Sequence, residues 1–226
     1  MFSEATAASP SPATPTPTLT GVGLACRRGD KLLFEGLDIT VHAGQITWLR
    51  GNNGRGKTSL LRLLAGLSPP EAGSLRWGST ALQKTRAAYN TSLAYVAHSN
   101  ALKDDLTSTE ALGFLASLHG QGAAPQALHA ALHQLGMHNR RNAPVRTLSQ
   151  GQRRRVALAR LALLPTKPLW LLDEPYDALD DEGCAVVDHL LAQHAQVGGS
   201  VVLTSHMPLR LAEPAPLSLW LDGNAA

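Results

Sequence analysis

Charge is scarce in this chain of 226 residues. Asp, Glu, Lys and Arg make up 16% of it, and the formal excess is only +3. A nucleic-acid-binding domain shows a clustered basic footprint, so a balance this mild gives no reason to expect nucleic acid as a partner. Cysteine is scarcer still. Cys26 and Cys184 stand far apart, in no metal or redox spacing, and a reducing cytoplasm is the simplest setting for them. No apolar stretch approaches the roughly 18 residues of a spanning helix, so the chain is not expected to cross a membrane itself. Residues 1–18, "MFSEATAASPSPATPTPT", lack both an apolar core and any basic residue, which fits neither a secretory signal nor an Arg-rich transit peptide. Their Pro/Ser/Thr/Ala composition reads as a disordered tail. There is no internal repeat and no C-x-x-C-H for haem attachment. What remains, residues 19–221, is long enough for one α/β domain with a full core and a small inserted subdomain.

The chain is rich in phosphate-binding pattern. In "RGNNGRGKTS", Gly51, Gly54, Gly56, Lys57 and Thr58 fit G-x-x-x-x-G-K-[ST], the Walker A loop; Asn52, Asn53 and Arg55 fill it and Ser59 follows. "QITWLR" before it is β-rich and "SLLRLLAGL" after it is apolar at helical spacing, the strand–loop–helix setting that the motif requires. The glycines let successive N–H groups turn inward toward β-phosphate oxygens, beside a helix N-terminus. Lys57 is expected to reach the β- and γ-phosphates, and Thr58 to ligate Mg²⁺.

Further short apolar runs, "SLAYVA", "PLWLLDEP", "SVVLTSH" and "LSLWLD", are polar only at their ends, as strands of a central parallel sheet are. Functional residues in such sheets collect at the carboxyl ends of strands. Asp173 and Glu174 stand at one such end, Ser205 and His206 at another. Asp173 suits Mg²⁺, and Glu174 suits polarising an attacking water. A helical block over about 100–162 interrupts the strands. Thr107 with Glu110 predicts a capping box, and Pro125 and Gly136 bound a second helix.

"LSQGQRRRVALARLAL" is a polar turn running into a helix, where Ser149, Gly151 and open N–H groups predict a second anion site. A chain with one complete phosphate loop has use for a second in a head-to-tail dimer. Here the sequence resembles the ATP-binding-cassette (ABC) ATPases over about residues 19–221. "LSQGQ", including Gln152, is similar to that family's L-S-G-G-Q signature, with Gln150 in place of the first glycine, and "DALD", Asp177 to Asp180, is similar to its D-loop. His206 stands where the family has a histidine that contacts the γ-phosphate. The glutamine that usually ends the strand after the Walker loop is replaced by His98. Arg28, in "CRRGDKLLF", stands near the usual adenine-stacking aromatic, and a guanidinium can also stack.

Together with "LK..LT..EAL" and Tyr176 in "DEPYDALD", His98 makes the chain similar to the ATP-binding subunit of the bacterial haem exporter of cytochrome c maturation. The resemblance implies a P-loop core with an inserted helical subdomain, ATP and Mg²⁺, and a homodimer. It also implies integral membrane permease subunits and a peripheral place on the cytoplasmic face of the inner membrane. The expected work is haem export or release of a haem-carrying chaperone. The alternatives are an ABC ATPase for another substrate, or a soluble ABC protein; the latter usually carries two cassettes or long coiled-coil insertions, absent here. An imidazole is a poorer Mg²⁺ ligand than an amide oxygen, so His98 is expected to bond the attacking water or a phosphate oxygen, or to contact the membrane partner. Two tempting patterns have plainer readings: the Arg153–Arg155 cluster as a solvated face, as ion pairs toward the D-loop or as electrostatic support for nucleotide, and His129 with His133, at metal spacing without a third ligand, as a solvent-facing pair.

Overall fold

The computed structural model describes residues 17–120 and 122–221. The expected disordered tail therefore lies outside the described residues, apart from its last two positions, where the first strand begins. Two sheets form the body. Five strands make a wholly parallel sheet: β3 (Ile46–Arg50), β6 (Leu93–Val96), β7 (Leu169–Leu172), β8 (Ser200–Thr204) and β9 (Leu217–Trp220), in the order β6-β7-β8-β3-β9. These are the five runs read from the sequence. β1 (Pro17–Arg28), β2 (Lys31–His42), β4 (Ala72–Trp77) and β5 (Thr80–Ala81) form an antiparallel sheet in the order β2-β1-β4-β5. That sheet is not legible from alternation, because Gly21 to Leu24 and Leu24 to Arg27 are sites of register shift, and Gly23, Gly29 and Gly36 take positive φ.

Side-chain alternation along β7 explains how the parallel sheet is covered. Leu169 and Leu171 pack into one core with Leu49, Val202 and the helix α1 (Lys57–Leu64). Trp170 and Leu172 pack into the other, with Ile46, Val201, Leu203 and helices α4 (Pro125–Gln134), α5 (Gln150–Ala159) and α6 (Asp181–Gln196). Successive residues of a strand face opposite sides, so a strand buried on both must be apolar throughout. All four residues of β7 are buried. Each Leu side chain so buried stabilises the fold by roughly 1.5–3 kcal/mol.

The helical block follows β6 (α2, Arg86–Ser92, precedes it) and consists of α3 (Ser108–Ser117), α4 and α5. α3 opens on the expected capping box: the Glu110 N–H donates to Thr107 Oγ1, and the Thr107 N–H donates to the Glu110 carboxylate at 2.8 Å. α4 starts on Pro125, whose missing N–H costs nothing at that position, and stops before Gly136 at φ 70. Among the described residues no helix is long and apolar enough to cross a membrane.

Candidate active site

Strand order brings four loops to one edge. The carboxyl ends of β6, β7, β8 and β3 deliver His98, then Asp173 and Glu174, then His206, then the Walker loop. Around the resulting cavity of about 330 Å³ stand Asn53, Gly54, Gly56, Lys57, Thr58, Ser59, His98, Asp173, Glu174 and His206, with Arg28 and Leu33 from the antiparallel sheet.

The loop is held in its curl from within. Gly51, Gly54 and Gly56 have φ of 143, 80 and 96, and Gly56 caps α1. A Cβ at Gly56 would meet Leu33 Cβ at 3.0 Å, so β2 closes the cradle from outside. The Lys57 ammonium, nearly buried, donates to the Gly51 carbonyl at 2.7 Å and the Asn52 carbonyl at 3.3 Å. The Arg55 N–H donates to the Asn52 carbonyl at 3.3 Å.

Asp173 is only 2% exposed. Its Oδ1 accepts from the Thr58 hydroxyl at 3.1 Å and from the Thr204 hydroxyl at 2.9 Å. Thr204 Oγ1 in turn accepts from the Glu174 N–H at 2.9 Å. Glu174 has φ 50, in the left-handed region that a residue with a Cβ enters at a cost. Its carboxylate accepts from the His206 N–H at 2.9 Å and lies 3.4 Å from His206 Nε2, with the imidazole largely exposed. His98 is exposed and lines the same cavity.

Ser149, Gly151 and Gln152 are elsewhere. They line a second cavity with Gly136, Arg155, Ala178 and Asp180, which shares no residue with the first. Ser149 caps α5 in a capping box with Gln152, at 3.2 and 3.1 Å, so Gln152 is engaged in helix capping as well as lining this cavity. Gly151 is required by a close approach rather than by flexibility: a Cβ there would stand 2.5 Å from the Ala178 carbonyl oxygen. Asp180 caps α6 and pairs with Arg155. The Gly183 N–H first, then Arg155, hold its carboxyl below the usual range.

Two residues of this region depart from the sequence reading: Thr204 was not singled out, and Arg154, grouped there with its two neighbours, is not on a solvated face. Thr204 was hidden as the last polar position of an apolar strand, although the strand-end rule that picks out His206 covers it equally. Arg154 is 2% exposed and donates to the carbonyls of Asp173 and Glu174, both at 2.7 Å. Burial pushes its guanidinium down, with Asp177, Asp173 and Glu174 opposing. Arg155 does pair toward the D-loop, and Arg153 pairs with Asp104 at 2.9 Å. His129 and His133 are both exposed; the His133 ring meets His138 edge-on.

The family model described as "ABC transporter" matches residues 34–177. The chain is 49% identical over 187 residues to the cytochrome c biogenesis ATP-binding export protein CcmA of Pseudomonas putida, covering 83% of this chain and 88% of that protein. It is 42% identical to the protein of the same name from Vibrio cholerae, covering 84% and 92%. Its fold is that of a putative ABC transporter ATP-binding protein from Pyrococcus furiosus, at TM-score 0.76 and 22% identity, covering 90% of this chain and 97% of that one. An ATP-binding cassette solved as a dimer in a post-hydrolysis state, bound to ADP and Pi, matches at TM-score 0.73 and 21% identity, covering 84% and 88%. The chain belongs to the ABC transporter family, among its cytochrome c biogenesis ATP-binding export proteins.

Proposed function

We propose that the chain is the ATP-hydrolysing subunit of a membrane transport complex serving cytochrome c biogenesis, working as a homodimer. Each nucleotide is bound by the Walker loop of one copy and closed over by Ser149, Gly151 and Gln152 of the other. The observation that carries this reading is the separation of the two cavities, one with the Walker loop and its lysine, the other with a capped helix start and no lysine.

In this reading the N–H groups of residues 52–58 and the Lys57 ammonium take the phosphates, the ammonium exchanging loop carbonyls for phosphate oxygens. Arg28 and Leu33 offer the adenine a flat guanidinium and an apolar edge. The hydroxyl of Thr58 and the carboxylate of Asp173 are hard oxygens already 3.1 Å apart, a donor set that suits Mg²⁺. When bound there, Mg²⁺ neutralises charge developing on the phosphates. Glu174 accepts the proton of the attacking water as its oxygen bonds to the γ-phosphorus and the bond to ADP breaks. His206 braces that carboxylate through its N–H and turns its exposed imidazole toward the γ-phosphate. His98 bonds the water or a phosphate oxygen. Integral membrane permease subunits anchor the dimer on the cytoplasmic face of the inner membrane, and haem, or a haem-carrying chaperone, is what the cycle moves or releases.

The test is purification of the full chain from detergent-solubilised membranes. Integral membrane subunits should accompany it, with ATP turnover that depends on them. A chain recovered alone, or with ribosomes or DNA, overturns the reading.

A further inference from the structure

Arg153, Arg154 and Arg155 are consecutive, yet they point three ways. Arg153 pairs with Asp104, Arg155 with Asp180, and Arg154 turns into the protein between the ends of β6 and β7. Its Nη1 donates to the Ala97 carbonyl at 3.0 Å, the His98 carbonyl at 3.4 Å and Asn100 Oδ1 at 3.1 Å. Its Nη2 donates to the carbonyls of Asp173 and Glu174, both at 2.7 Å. One rigid, planar fork thus ties the two loops that carry His98 and Glu174 to a single helix.

The consequence falls on Glu174. Its left-handed φ of 50 is held from both sides, by Thr204 on its N–H and by Arg154 on its carbonyl. Holding both peptide groups fixes the direction of the Cα–Cβ bond, and so where the carboxylate can sit against His206. Arg154 is also five residues along α5 from its N-cap, Ser149, or about 7.5 Å at 1.5 Å per residue. A shift of that N-terminus moves the fork.

We propose that Arg154 is a positioning residue for the Glu174 carboxylate, making the seating of the α5 N-terminus a condition for aiming the base. This rests on Glu174 being the base. It assigns to the middle arginine a role distinct from those of its two neighbours, whose ion pairs are at the surface.

The experiment compares wild type, Arg154→Gln, Arg154→Lys, Glu174→Gln and the double variant Arg154→Gln/Glu174→Gln, each in the complex purified from membranes. Arg154→Gln should lose about 10²-fold in kcat, the scale of a misplaced catalytic group, with KM and Kd for ATP within about twofold. Arg154→Lys keeps the charge but not the fork, and should still lose at least about tenfold in kcat. The double variant should be no slower than Glu174→Gln, because both changes disable the same group. Loss of ATP binding together with turnover in Arg154→Gln would make the residue merely structural and overturn the proposal. So would wild-type kcat in Arg154→Lys, or losses that multiply in the double variant. Near wild-type turnover in Glu174→Gln would remove the base assignment itself, and the positioning role with it. A slow Glu174→Gln beside a fast Arg154→Gln would sink only the positioning role.

Discussion

The two cavities differ in how their polar groups are used. In the first, the groups are bonded to one another across three strand ends: Lys57 to its own loop, Thr58 and Thr204 to Asp173, His206 to Glu174. In the second, the groups mostly serve α5 and α6: Ser149 and Gln152 cap one helix, Asp180 caps the other, and Gly151 lets the Ala178 carbonyl pass. The first holds charged groups ready for a phosphate. The second presents a surface with no lysine and no phosphate loop of its own, as suits a surface that completes a site on another molecule.

Four experiments break or sharpen that contrast. The largest effect is expected from Glu174→Gln, which leaves the cradle intact and removes the proposed proton acceptor. Turnover should fall by about 10²–10⁴, and the variant should collect as an ATP-bound dimer on a sizing column. Hydrolysis near the wild-type rate would refute the role of Glu174.

Gly151→Ala should come next. Its Cβ would strike the Ala178 carbonyl, so the 177–180 loop must shift. The expected loss in turnover is about 10²-fold, as for a displaced catalytic group. Binding of ATP to the dilute, monomeric chain should be unchanged, because the first cavity contains neither residue. Binding that fails along with turnover would show the two regions to be one unit.

A smaller signal separates sites built within one chain from sites built between two. Lys57→Ala and Ser149→Arg subunits should each be inactive alone. Mixed dimers contain one doubly damaged site and one intact site, so partial activity should return on mixing. Neither activity nor a mixed ATP-bound dimer would count against shared sites.

The smallest effect is a matter of pH. The Asp180 carboxyl is depressed in the folded chain, so its contribution is complete above the ordinary value of 3.8 and is lost only as pH falls through the lower folded value. Between pH 5.5 and 8 that contribution is constant. Thermal stabilities of wild type and Asp180→Asn should therefore differ above pH 3.8 and converge as pH falls through the depressed folded value; curves a constant distance apart at every pH would remove the carboxylate from the balance.

The parallel sheet was readable because each of its strands is a short, mainly apolar run bounded by polar residues, and the α3 capping box because its partners are three residues apart. The antiparallel sheet was not, since positive-φ glycines and register shifts break its alternation. The P-loop residues could be gathered into one place because strand ends share an edge. Arg154 could not: in sequence it is the middle of three like charges, and only the packing of α5 against β6 and β7 decides which of them goes inward. Thr204 was lost for the opposite reason, as one polar atom closing an apolar run, with its two partners 30 and 31 residues away.

The strand order also has a consequence for how the chain is made. β3, which leads into the Walker loop, is flanked by β8 and β9, and Ile46 pairs with Val201, a separation of 155 residues. At about 5–20 residues per second, a ribosome needs on the order of ten seconds to supply that neighbour. For all of that time the nascent chain carries the strand with the edge that β8 will cover still open. The phosphate loop is written early in the polypeptide but cannot be enclosed until nearly the last strand has emerged.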